Sequence, residues 1–186
     1  MWFDQLDHWQ TFAAGVLTVG AALIAGVFAL GVSFIAVRAA RQQERREVET
    51  LRLSLAVEIR RLVDVMLQTH EIFERVSRTG QSLLADDVVK EISRGTPVVF
   101  PAMADRIGLL GFRVAPYVLT FYKNLKGIEH AGRMAADPAG FVQPNELRAL
   151  MKLIKDACRQ NVLPLLSKLP RDQTDPERKA KIEAMG

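Results

Sequence analysis

The chain has 186 residues, with 25 Lys and Arg against 21 Asp and Glu, a formal charge of +4, one cysteine and three histidines. The basic excess is small and mixed along the chain. That excludes the concentrated basic stripe of a nucleic-acid binder, and a lone cysteine excludes an internal disulfide and suits a reducing compartment.

Residues 1–11 read as a short external amphipathic lead. Trp2, Phe3, Leu6 and Trp9 share one helical face, as an aromatic belt at a membrane interface does. Phe12–Val37 follows, 26 residues without a charge. As a helix it reaches about 39 Å, enough for a bilayer core of roughly 30 Å. It is apolar all round, unlike a surface helix. It is also too long for the core of a cleaved signal peptide, and no basic residue precedes it. The expectation is a transmembrane helix. Asp4 and Asp7 lie before it and Arg38, Arg41, Arg45 and Arg46 after it. The arginines place residues 38–186 on the cytoplasmic side of the membrane and the N-terminus outside. Thr18 and Ser33 are the hydroxylated residues in the stretch, and each can return a hydrogen bond to its own helix. Two rows of small residues run along it, Ala14, Thr18, Ala22 and Gly26, and Ala21, Ala25, Ala29 and Ser33. Such rows let helices approach closely in lipid, so they are the candidate membrane-helix interface.

Residues 38–169 are expected to form a cytoplasmic antiparallel helical bundle. No Gly or Pro occurs between Val32 and Thr79, which predicts that the membrane helix runs on unbroken. Arg41–Glu49 is charged nearly all round and reads as a solvated stalk. Beyond it Val48, Leu55, Leu62, Thr69 and Val76 recur at spacing seven, interleaved with Ile59, Met66 and Phe73, a coiled-coil period. Leu51, Ala56, Val63, Val65 and Ile72 widen that face and favour a bundle. Gly80 should cap the helix end. A short helix is predicted over Leu83–Ser93, an extended run over Thr96–Phe100, and another short helix from Pro101. Gly108 and Gly111 bracket Leu109 and Leu110 in a turn that points both leucines inward. Pro116 opens an amphipathic helix to about Met134, and Asp137–Gly140 is a turn. Pro144 starts the last long helix, with a kink or break expected near Asn161 because of Pro164. Residues 170–186 are polar and read as a flexible tail.

Chemistry-bearing motifs are scarce. The sequence has no glycine-rich phosphate loop and no G-x-S-x-G elbow. His8, His70 and His130 are not at metal-ligand spacing. Cys158 falls on an apolar helix face, where it reads as a small core residue. Asp86–Asp87 is the charged first turn of a helix.

Phe100–His130 is more distinctive. Its Ala104–Leu110 (ADRIGLL) and Phe121–Tyr122, with the anchor-and-helix layout, resemble a loose group of uncharacterised bacterial single-pass inner-membrane proteins. The resemblance implies a shared architecture and no activity. Because apolar residues dominate it, the motif reads as structural, with a ligand- or partner-binding site as the competing reading: Asp105 and Arg106 would cap and pair at a short helix end. Ile107, Leu109 and Leu110 would plug the bundle, with Gly108 giving backbone freedom. Phe121 would pack beneath, and the Tyr122 hydroxyl, if buried, needs a polar partner.

The fold expected is all-α, one transmembrane helix continuing into the bundle. The function expected is a membrane-anchored interaction or oligomerisation module without catalysis. A signal-relay or regulatory subunit is the alternative, and an enzyme comes third. The partners implied are the lipid bilayer and either a second copy or another membrane protein. No nucleic acid, small-molecule substrate, cofactor or metal is implied.

Overall fold

A computed structural model describes the backbone of residues 2–135 and 139–185, and the side chains of residues 25–135 and 139–185. The chain is mostly helical, as the periodicity predicts. Helix α1, Trp2–Thr79, is helical without interruption, including Arg38–Glu49. Gly80, at φ +69°, follows its end. The chain divides into two compact units, Met1–Glu47 and Val48–Gly186.

In the first unit, the described side chains from Ala25 onward are exposed on every side, including Val27, Phe28, Leu30, Phe34 and Ile35 at 68–73%. Ser33 Oγ donates to the Ala29 carbonyl at 2.8 Å, the return bond expected of it. Among the described residues no helix is long and apolar enough to cross a membrane. The predicted span starts at Phe12, and the side chains of residues 12–24 lie outside that description, as does the lead over residues 1–11.

In the second unit, α1 is the central helix. Most of the predicted seam is buried: Leu55, Ile59, Leu62 and Phe73 are 0% exposed and Met66 and Thr69 at most 5%, while Val48 and Val76 at its two ends are half-buried. Of the residues that widened the seam, Leu51, Ala56 and Val63 are buried and Val65 and Ile72 half-buried. A strict two-stranded seam would leave them in water, so the width of the pattern is what distinguishes a bundle.

A two-residue strand, β1 (Leu83–Leu84), then pairs antiparallel with β2 (Phe141–Val142), Leu83 opposite Val142. Extended structure therefore lies here and not at Thr96–Phe100. The latter segment enters helix α3 (Val99–Met103), because a carboxylate described below accepts its first free N–H groups. Between them lies α2 (Ala85–Ser93), with Val88 and Ile92 buried, while Leu84 just before it is exposed. A 3-10 helix, Ala104–Leu110, continues from α3. Helix α4 spans Ala115–Met134. Its Gly132 lies against α2, where a Cβ would come 2.5 Å from Ile92 Cδ1, so the glycine allows the two helices to approach. Asp137 and Pro138 of the expected turn lie outside the described residues.

Helix α5 (Pro144–Ala157) does not break near Asn161. It widens into a π-helical turn, Cys158–Val162, in which the Leu163 N–H donates to the carbonyl of Cys158, five residues back, and resumes as α6 (Leu163–Leu166). Pro164 has no N–H, and its ring crowds the carbonyl four residues back. A wider turn accommodates it while Cys158, Val162 and Leu165 stay at 0% exposure.

Residues 170–185 are not a free tail. They form α7 (Asp175–Ala184), which buries Ile182 completely and Met185 nearly so. Composition suggested mobility because this segment has few apolar residues. Ion pairs hold it instead.

The helix directions follow from named contacts. Arg61 of α1 donates to the Thr96 carbonyl beyond α2, so the chain has doubled back along α1. Tyr122 reaches Glu58, while Leu125 and Ile128 line a small cavity with Leu62 and Met66, so α4 runs parallel to α1. Arg148 meets Ser77 and the Pro170 carbonyl meets Arg60, so α5 and α6 run back. Along the chain, α1, α2, α4 and α5 alternate in direction.

Candidate functional site

The polar chemistry of the bundle concentrates on two turns of α1, Glu58–Asp64. Helical geometry sends these side chains in different directions, and each meets a different segment. Glu58 is 4% exposed. Its Oε1 accepts the N–H groups of Val98 and Val99, both at 2.5 Å, and its Oε2 accepts the Phe100 N–H at 3.0 Å and the Tyr122 hydroxyl at 2.5 Å. The carboxylate thus caps α3 from another helix, since no side chain of the local N-cap does so. Burial pushes the Glu58 pKa up, but the bonds from Tyr122 and from Val99, Val98 and Phe100 together outweigh it and hold it below the ordinary carboxylate value. The Tyr122 hydroxyl moves the opposite way, well above its ordinary value, through burial and the adjacent carboxylate. Phe100 stacks on Tyr122 with ring centroids 3.9 Å apart, and Phe121 meets it edge-on at 5.2 Å. The polar partner that Tyr122 required is therefore Glu58.

Arg60, 7% exposed, faces the C-terminal segment. It makes two 2.9 Å bonds to the Asp175 carboxylate and also donates to the Pro170 carbonyl. One turn on, Asp64 receives two 2.8 Å bonds from Arg178. The pairing is crossed: α1 contributes a cation and then an anion, α7 an anion and then a cation. Burial raises the Asp175 pKa, but the Arg60 bond, the Asp172 N–H bond and the Arg60 charge together outweigh it, and the net is a lowered value. Arg159 adds bonds to the carbonyls of Glu183 and Met185.

The ADRIGLL motif divides with a period of three. In a 3-10 helix, residues three apart eclipse. Ile107 and Leu110 are buried at 3%, while Arg106 and Leu109 both face solvent, Leu109 at 41%. The expectation that Leu109 joins the plug is therefore corrected: it assumed a tight turn bracketed by Gly108 and Gly111, whereas Gly108 lies inside the 3-10 helix and Leu109 faces outward. Asp105 and Arg106 are exposed, and among the described residues neither forms an ion pair or a cap. Gly108 has ordinary helical backbone. Gly111, at φ +75°, is the residue that needs to be glycine.

A separate groove of about 520 Å³ lies between α1, α5 and α7. His70, Glu71 and Glu74 line it from one side and Lys152, Lys155 and Lys181 from the others, over Leu67 and Met151. Burial lowers the His70 pKa, Glu74 and Glu71 oppose that, Lys155 reinforces it, and the net is lowered. His130 is exposed. Among the described residues no three His, Cys, Asp or Glu side chains are placed to hold one metal ion. Cys158 is fully buried, which pushes its thiol pKa up to about 12.

Of the small-residue rows, Ala25, Gly26, Ala29 and Ser33 are exposed, and Ala14, Thr18, Ala21 and Ala22 lie outside the described side chains. Reasoning from motifs missed Glu58, Arg60 and Asp64. A usable signal was present, because Glu58 falls within the widened apolar face and Arg60 borders it beside Ala56, where a charge needs a partner.

The chain matches no known family model, and comparison with curated proteins and with solved structures finds no match.

Proposed function

We propose that this protein is a single-pass membrane-anchored module whose cytoplasmic bundle binds a partner or a second copy and does no chemistry. The observation that carries the reading is the all-round apolar exposure of α1 over Ala25–Val37 on a helix that also forms the centre of the bundle. A helix with Phe28, Leu30, Phe34 and Ile35 all about 70% exposed is unsuited to water and well suited to lipid. Orientation rests on the arginines from Arg38 to Arg46. The test is cysteine labelling of intact cells with a membrane-impermeant maleimide. Cys158 is buried and its thiol is protonated at neutral pH, so it gives little background. Asp4→Cys is expected to label from outside and Gln173→Cys only after lysis; the opposite pattern inverts the topology, and labelling of both in intact cells removes the anchor. Partnering through the small-residue rows predicts that Ala22→Leu with Gly26→Leu lowers the yield of crosslinked oligomer. An unchanged yield assigns the rows to plain lipid contact.

A second reading, signal relay, is favoured by the Glu58–Asp64 cluster. Helical backbone through Arg38–Glu49 leads into it, and within two turns α1 ties down α3, the segment after α2 and the C-terminal segment. Rotation of α1 would displace all three together. An enzyme would need a polar pocket with convergent titratable groups, and the groove at His70 has them. The enzyme reading stays third because the groove lining holds no serine, threonine or cysteine nucleophile and Glu74 is engaged with Arg78 at 2.6 Å.

A further inference from the structure

We infer that the turn closing the 3-10 helix is a second membrane contact, a wedge of Leu109 and Phe112 flanked by Arg106 and Arg113 that rests on the anionic leaflet. The inference rests on the membrane-anchor reading. Phe112 is 83% exposed, the highest value among the large hydrophobic residues given above, and it follows Gly111, whose positive φ turns the chain outward. Leu109 is exposed on the outer face of the 3-10 helix, in line with Arg106, while Ile107 and Leu110 hold the inner face in the core. The turn is therefore anchored from behind and apolar in front. The Arg113 guanidinium lies 5.6 Å from the Phe112 ring centroid. That pairing gives an interfacial aromatic a cation at headgroup level.

Charge and position select the occupant. Between Ala104 and Leu119 the only acidic residue is Asp105, against Arg106 and Arg113. Lys168 adds a cation over the Tyr117 ring at 4.7 Å. A basic rim around an apolar tip is complementary to an anionic lipid surface. Within the bundle, Tyr122 marks the level of Glu58. Because α4 runs parallel to α1, its first residue, Ala115, lies roughly 10 Å from that level toward Leu51 and Val48, the end at which α1 enters, and the turn directly precedes it. In sequence, only residues 38–47 separate that end from the apolar stretch. A small wedge suffices on a tethered chain, since tethering makes the second contact intramolecular.

The test uses the full chain carrying Trp2→Phe, Trp9→Phe and Phe112→Trp, reconstituted in phosphatidylcholine vesicles with and without phosphatidylserine. Flotation of the vesicles reports the anchor. Emission of the introduced tryptophan and its quenching by brominated acyl chains report the wedge. The expected result is flotation in both, with a blue shift and at least about two-fold quenching in the anionic vesicles, most of it lost when Arg106→Glu and Arg113→Glu are added. Flotation with solvent-like, unquenched emission overturns the wedge and leaves the anchor standing. A blue shift that grows with protein density and resists brominated lipid means that a second copy covers the turn, and also overturns it. Failure to float overturns both.

Discussion

Glu58 shows how one side chain determines several others. Its carboxylate is buried, yet every bond it makes comes from a donor that has no other obvious partner: three N–H groups at the start of α3 and one phenol. Removing it orphans all four. Glu58→Ala is expected to destabilise the bundle by about 3–5 kcal/mol, and Tyr122→Phe, which removes one bond to a charged acceptor, by about 1–2 kcal/mol. Urea unfolding in mild detergent measures both, and equal effects would mean that the α3 cap contributes nothing. The pH dependence follows from sign. Glu58 and Asp175 both have lowered pKa values in the folded state. Their stabilisation is therefore complete above the unfolded carboxylate values, near pH 4, and is lost as pH falls through the folded values. His70 is also lowered, so its contribution is complete above about pH 6.5 and declines below it, in a separate window. Glu58→Gln should flatten the acid limb and leave the His70 window unchanged.

At the scale of elements, α7 is the least expected part of the fold. Its apolar content is small, with Ile182 and Met185 as the buried contacts, so the crossed pairs to Arg60 and Asp64 decide whether it docks. The two pairs are not equivalent. Arg60 and Asp175 side chains are each 9% exposed, whereas Asp64 is 43% exposed. Breaking the first alone, by Arg60→Ala, leaves a buried carboxylate and should cost about 2–4 kcal/mol, while Asp64→Ala should cost less than about 1 kcal/mol. Combining Arg60→Ala with Asp175→Ala should recover part of the loss. A double-mutant cycle by thermal unfolding, with hydrogen exchange over residues 175–184, reads the coupling. Additive effects would mean that Ile182 alone seats the helix. The π-helical turn at Cys158–Val162 makes a related point, because Pro164 forces a local irregularity and the buried residues on both sides determine its form.

At the scale of the whole molecule, the periodicity of α1 carries most of what could be read in advance. The seam from Val48 to Val76, the width that separates bundle from coiled coil, the amphipathic α4 and α5 and the glycine after Thr79 all follow from residue types at fixed spacing, because burial of an apolar face needs no knowledge of what covers it. The ADRIGLL motif was only half legible: its inward residues depend on a three-residue period that the sequence does not announce, so Leu109 was placed on the wrong side. The polar cluster was not legible in detail, since Glu58 meets donors 40 or more residues away and Arg60 an acceptor 115 positions on. Local pattern determines which faces are apolar and where helices start and stop. Which distant N–H, hydroxyl or guanidinium meets a buried charge depends on how those helices pack, and the tertiary structure alone decided that for Glu58, for the docking of α7 and for the outward turn at Phe112.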